Sequence, residues 1–429
     1  MTTEQIYKLF LTCTKVETDS RKITEGCLFI ALKGEKFNGN KFADEALKKG
    51  AALAIIDEPE FSLPSKTILV ENALATLQKL AYIHRKELGI PILAITGTNG
   101  KTTTKELVAT VLSSSFQIVF TPGNLNNHIG VPLTLLQMNR NTQIGVVEMG
   151  ANHPGEIQEL CSIADPDLGI ITNIGRAHLQ GFGSFENIVK TKSALYDHLK
   201  RKNGTIFYHH ENAMLAQLVD GFQKVVNYGE NDANLTGTLI TSSPYIEAEI
   251  QFPGEKLAIH TRLTGSYNFE NILAAACVGN YFGVEPGKIQ QALSNYQPQN
   301  NRSQLIEKGE LKIILDAYNA NPTSMQASIE SFVTGFFAPR YLILGDMLEL
   351  GTQAITEHQT ILEQIKKHPV EKVFLVGPLF HEVARNYPFS SFTETGELIR
   401  YLTQNPLRIG TVLIKGSRGM QLENVLECL

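Results

Sequence analysis

Apolar and polar positions alternate along this chain in three successive textures. Residues 1–86 mix short apolar runs (GCLFIAL, AALAII, KTILV) with helical stretches and close on the helix-like ALATLQKLAYIHRKEL. From Ile90 the pattern settles into apolar strand, glycine turn, helix. IPILAITG, TQIGVVEMG and DLGIITNIG are continuous apolar runs bounded by turn residues, as expected of parallel strands covered on both faces. TTTKELVATVLSSSF, HPGEIQELCSIA and SFENIVKTKSALYDHLK supply the helices. IEAEIQFPGEKLAIHTRLTG reads as a hairpin at the edge of that sheet. After the polar stretch QPQNNRSQ comes LKIILD, helix, RYLILGDM, helix, KVFLVG, helix, TVLIKG and a last helix, a second alternating α/β series. The expected units are residues 1–86, 87–299 and 300–429, all α/β.

A length of 429 residues agrees with that division, since it exceeds one ordinary core. A hydrophobic content of 43% with 19% charged residues is that of a soluble globular protein. The net charge of −5, with no run of Lys and Arg, argues against a nucleic-acid partner, while small anionic substrates stay open. Cys13, Cys27, Cys161, Cys277 and Cys428 are odd in number and far apart, which favours neither a disulfide framework nor a zinc site. No signal peptide is read in MTTEQIYKLFLTCTK, and no apolar run approaches the roughly 20 residues of a membrane span. The expectation is a cytoplasmic monomer without membrane insertion.

The strongest local signal is Gly97-Thr98-Asn99-Gly100-Lys101-Thr102-Thr103, directly after the strand ILAIT and directly before a helix. Glycines let backbone N–H groups turn toward phosphate oxygens, and a helix N-terminus adds positive potential. Lys101 suits the β- and γ-phosphates, and the Thr102 hydroxyl suits Mg²⁺. The common phosphate-loop spacing needs glycine at position 95, where Ile95 stands, so this loop is a shortened variant. Its competing reading is a plain glycine turn with an exposed lysine.

GTNGKTT resembles the signature of the Mur ligase superfamily, the enzymes that build the peptidoglycan stem peptide. The resemblance implies ATP-dependent joining of a carboxylate to an amine through an acyl phosphate, which needs cations around crowded negative charge. It also implies three domains: a UDP-binding α/β domain, a central P-loop ATPase-like parallel sheet and a C-terminal Rossmann-like domain closing over ATP. Glu148, ending the strand IGVVE, and His178, in NIGRAHL, would be ligands for two Mg²⁺ ions. Lys192 matches a lysine that the family carbamylates with CO₂, turning a cation into an anionic ligand. Taken alone, Glu148 reads equally as a solvated charge, His178 more readily as structural, and Lys192 as a surface helix lysine.

The likeness covers nearly the whole chain. Thr18-Asp19-Ser20-Arg21 resembles the family's UDP-sugar segment, with Ser20 and Arg21 suited to the diphosphate, though a simple turn explains them locally. Asn124–Gly130 (NLNNHIG) resembles a segment that approaches substrate and γ-phosphate, which implicates Asn126 and Asn127. Gly265–Asn271 (GSYNFEN) resembles an adenine-contacting segment, and Asn268 and Asn271 share a helix face; a capping role for Asn268 competes. Arg302 and Asp316 would contact ATP. Asp316–Pro322 (DAYNANP), with Tyr318, Asn319 and Asn321, and KGSRG at Lys415 resemble the member that adds D-alanyl-D-alanine to UDP-N-acetylmuramoyl-tripeptide; Ala317 departs from that pattern. A diaminopimelate- or lysine-adding relative and a non-ligating nucleotide switch remain alternatives.

Overall fold

The computed structural model describes residues 1–299 and 301–429; Asn300, the expected start of the third unit, lies outside the described residues. Among the described residues three large sheets correspond to the three textures, beside a two-stranded hairpin of Lys33–Gly34 with Phe37–Asn38. The first has four parallel strands in the order Val16–Glu17, Leu28–Ile30, Leu53–Ile56, Thr67–Leu69. Its chain leaves through the helix Ala73–Leu88, capped by the Asn72 side chain and stopped at Gly89, whose φ of 62° only glycine adopts readily. That helix is the run ALATLQKLAYIHRKEL from end to end, and it continues two residues past position 86.

The helix Ala73–Leu88 is gripped from both sides. His84 meets Tyr7 of the first helix and, through its other nitrogen, the Met138 carbonyl at 2.8 Å. Arg85, buried, donates to the carbonyls of Ala164 and Asp165 and to the Asp167 carboxylate. The first sheet is thereby fastened to the second.

The second sheet holds nine strands. Seven run parallel, from Ile118–Phe120 at one edge through Ile144–Glu148, Ile92–Thr96, Leu168–Ile171, Thr205–His209 and Val225–Gly229 to Leu235–Thr241. The expected hairpin, Glu247–Phe252 with Glu255–His260, completes the other edge antiparallel. Ile92–Thr96 and Ile144–Glu148 are buried at every position, which explains their unbroken apolar runs.

The third sheet has six strands in the order Gln304–Lys308, Glu310–Asp316, Ile409–Lys415, Arg340–Gly345, Lys372–Val376, Ser390–Phe392. Two of these escape the apolar pattern. Gln304–Lys308 is a half-exposed antiparallel edge strand joined through Gly309, and Ser390–Phe392 is a three-residue edge strand. The expected last helix is instead a 3₁₀ segment, Leu422–Cys428. Among the described residues no helix is long and apolar enough to cross a membrane.

Candidate functional site

A cavity of about 570 Å³ opens where the carboxyl ends of the central strands face the third sheet. Its floor is the loop Gly97–Gly100. Gly97 has φ 145° and a Cβ there would lie 2.0 Å from the Thr172 hydroxyl; Gly100 has φ 79° and a Cβ would meet Asn271. Both positions therefore demand glycine. The helix Lys101–Ser113 starts at once, with its free N–H groups directed at the loop. Thr98 is locked by its hydroxyl to the backbone of Gly175, and the Asn99 N–H donates to Asn173.

Lys101 bends back over this loop, donating to the carbonyls of Gly97 and Thr98 at 3.0 and 2.9 Å. Burial, with help from Arg302 and against the pull of Glu148, pushes its ammonium down to about 8. Lys192 donates to the same Gly97 carbonyl at 2.8 Å and is only 3% exposed. Desolvation, reinforced by the neighbouring Lys101 charge, holds its pKa well below the ordinary lysine value. The surface-lysine reading of Lys192 fails, because the helix Phe185–Lys202 turns this residue inward while Lys190 stays exposed.

Glu148 is buried beside the loop. One carboxylate oxygen accepts from Thr102 (3.1 Å) and Asn126 (2.8 Å); the other is enclosed without a hydrogen bond from any described residue, with the Lys105 ammonium 3.8 Å away. A half-satisfied buried carboxylate is costly unless a cation completes it, so the Thr102–Glu148 pair fits a divalent metal. The solvated-charge reading of Glu148 therefore fails as well. No cluster of three or more His, Cys, Asp or Glu placed for a metal ion occurs among the described residues, so a metal here would also need hydroxyl or modified ligands. His178 lines the cavity in the left-handed conformation, φ 51°, and its Nδ1 faces the Glu349 carboxylate.

Asn127 caps the turn at Gly130 with its side chain, while Asn126 reaches Glu148. Asn268 makes no side-chain cap; its amide donates backward to the Thr264 carbonyl, and Asn271 ties it to Thr104. The third sheet contributes the opposite wall. Asp316 forms an ion pair with buried Lys415 and accepts from Ser328. The Arg302 guanidinium stacks on Tyr318 at 3.6 Å, its Nε buried without a partner among the described residues. Asn319 is exposed at the wall, and Asn321 caps the helix Pro322–Gly335. The Asn321 amide also crosses the cleft to Asn99, 2.8 Å away.

Ser20 and Arg21 are not among the cavity-lining residues. They occupy a turn in the first unit, where the Arg21 fork grips its own neighbour Asp19 through two 2.8 Å hydrogen bonds. Sequence reasoning missed Lys105, Asn173, Tyr267 and Glu349. Asn173 and Tyr267 stand inside the quoted segments NIGRAHL and GSYNFEN, and Lys105 lies one helical turn after Lys101 on the same face.

A buried parallel sheet, a glycine loop at a strand's carboxyl end and a helix N-terminus together define a P-loop nucleotide-binding fold. Residues 12–95 match the description "Mur ligase family, catalytic domain", residues 95–279 "Mur ligase middle domain" and residues 301–418 "Mur ligase, glutamate ligase domain". The chain belongs to the Mur ligase family. It is 36% identical over 427 residues to the UDP-N-acetylmuramoyl-tripeptide–D-alanyl-D-alanine ligase of Bacillus subtilis (strain 168), covering 96% of this chain and 92% of that one. Two solved structures superpose closely. MurF from Acinetobacter baumannii is 28% identical with a TM-score of 0.88, covering 99% and 98% of the two chains. MurF ligase from Thermotoga maritima in complex with ADP is 29% identical with a TM-score of 0.85, covering 98% and 97%.

Proposed function

We propose that this chain joins D-alanyl-D-alanine to the terminal carboxyl of UDP-N-acetylmuramoyl-tripeptide, converting ATP to ADP and phosphate. The observation that carries this reading is the Asn321–Asn99 hydrogen bond, which sets the DAYNANP segment directly on the phosphate loop. An amine chosen by that segment would meet the γ-phosphate end of the nucleotide. The full-length likeness to ligases of this name supports the same acceptor.

In the first step a carboxylate oxygen attacks the γ-phosphorus and the bond to the β-phosphate oxygen breaks, releasing ADP. In the second the amine nitrogen attacks the acyl carbon, the C–O bond to phosphate breaks, and the amine sheds a proton to water. Gly97 to Thr103 would cradle the phosphates, with Lys101 offsetting their charge. Thr102 and Glu148 would hold one Mg²⁺, His178 and a carbamate on Lys192 a second; when bound, these ions neutralise the crowded phosphate and carboxylate oxygens. The buried, pKa-lowered amine of Lys192 suits CO₂ capture, because only the neutral amine reacts and the carbamate keeps an N–H for the Gly97 carbonyl.

Asn268, Asn271, Arg302 and Asp316 would line the nucleotide pocket. Asn126, Asn127, Tyr318, Asn319, Asn321 and Lys415 would face the peptide and the dipeptide. Ser20 and Arg21 would take the UDP end, Arg21 exchanging Asp19 for a diphosphate. The domain roles proposed are UDP-sugar binding for residues 1–86, ATP binding for 87–299, and closure with dipeptide binding for 300–429. The cytoplasm, where both nucleotide substrates are found, is the fitting compartment. The oligomeric state proposed is a monomer. Phosphate release measured with the UDP-tripeptide and a panel of amines tests the reading: D-Ala-D-Ala should support turnover, and preferential use of diaminopimelate or L-lysine would overturn it.

A further inference from the structure

The loop Asp346–Gly351 of the third unit touches the central unit at one residue that the proposed chemistry leaves unused. Glu349, φ 64°, and His178, φ 51°, both stand in the left-handed conformation and face one another across the cleft. The contact is keyed on both sides. The Gln180 N–H donates to the Glu349 carbonyl at 3.1 Å, and a Cβ on Gly351 would touch the side chain of Gln180. The loop itself is held from behind. Buried Asp346 accepts from the N–H groups of Leu379 and Phe380, and buried His358 accepts from the Met347 N–H.

Beside a carboxylate, a neutral imidazole carries its proton on the nitrogen that faces it. Glu349 thus fixes the proton on Nδ1 and leaves Nε2, which hydrogen-bonds to no other described residue, as the lone-pair nitrogen. Metal-binding histidines almost always donate their other ring N–H to a carboxylate, a backbone carbonyl or a water, and loss of that partner costs about 10–100-fold in metal affinity or activity. Here the carboxylate belongs to the unit that closes, not to the unit that carries the histidine.

We propose that Glu349 is a positioning residue that orients His178 as a metal ligand only when the third unit is closed. Metal affinity and closure are then two readings of one coupling. This inference rests on the proposed metal role of His178, and the test separates the two. Mn²⁺ binding is titrated by electron paramagnetic resonance in the full chain with saturating ADP, for the wild type, Glu349→Ala, Glu349→Gln, His178→Ala and the double alanine variant.

Glu349→Ala should weaken the affected Mn²⁺ site by about 10–100-fold. Glu349→Gln, whose amide oxygen still accepts from Nδ1, should restore part of that loss. The double variant should bind no more weakly than His178→Ala, because Glu349 acts through the ring; fully additive losses would overturn the proposal. Wild-type Mn²⁺ affinity in Glu349→Ala, beside a weakened His178→Ala, would overturn it while sparing the metal role of His178. Wild-type affinity in His178→Ala would overturn both. Glu349 is more than half exposed, so its removal should not unfold the chain.

Discussion

At the scale of single residues, two lysines from different helices converge on one carbonyl, that of Gly97. Lys101→Ala should lower the ligation rate by about 10²–10³-fold, the usual cost of removing a preorganised charge from a phosphoryl site; steady-state phosphate release reads it. Lys192→Ala should abolish activity and recover part of it when a short-chain carboxylate is supplied, whereas exposed Lys190→Ala should leave the rate near wild type. A Lys192→Ala variant that no carboxylate rescues would argue for a structural lysine. The phosphate loop was legible because its chemistry is local: glycines, lysine and threonine adjoin in sequence. Glu349 was not, since its meaning depends on a histidine 171 positions away brought near by folding. Arg302 was named, but its stacking on Tyr318 is a tertiary event that no spacing encodes.

The clearest strands in the sequence are ones buried on both faces, although Thr205–His209, also largely buried, is not singled out. Ile92–Thr96, Ile144–Glu148 and Leu168–Ile171 are covered by helices and so carry unbroken apolar runs. The edge strands Gln304–Lys308 and Ser390–Phe392 have one side open and lose that mark. Helix ends are set by individual residues, and Asp165 shows how. It ends the helix Glu156–Ala164 in left-handed conformation and binds Lys86, Lys202 and His198 from two other helices. Burial alone would raise its carboxyl, but Lys202 and Lys86 outweigh that and hold it at about 2. Unfolded, it would ionise near the ordinary value of about 3.9. Its stabilising contribution is therefore complete above about pH 4 and fades as pH falls toward 2. Urea unfolding at pH 7 and pH 3 should show a larger loss of stability in the wild type than in Asp165→Asn, whose amide tolerates the same backbone. Equal losses would remove Asp165 from the acid response.

For the molecule as a whole, three large sheets followed from three textures, but how they meet did not, because the units join through side chains far apart in sequence, in an apolar cluster that draws residues from all three as well as in polar pairs. Two kinds of junction result. The third unit meets the centre mainly through side chains around a cleft, such as Asn321 on Asn99 and Arg176 with Glu357. The first unit is anchored through buried Arg85 and His84. A hydrogen bond to a charged group contributes about 1.5–3 kcal/mol, so Arg85→Ala should loosen this anchor measurably. Such fastening makes the first two sheets a ruler. On the proposed binding of the nucleotide-sugar end at Ser20 and Arg21, the distance from there to Lys101 would be set by the fold, and only a peptide of matching length would lay its carboxylate at the phosphate. A UDP-linked dipeptide, one residue short, should bind without turning over, and Arg85→Ala, by slackening the ruler, should narrow the gap in rate between dipeptide and tripeptide.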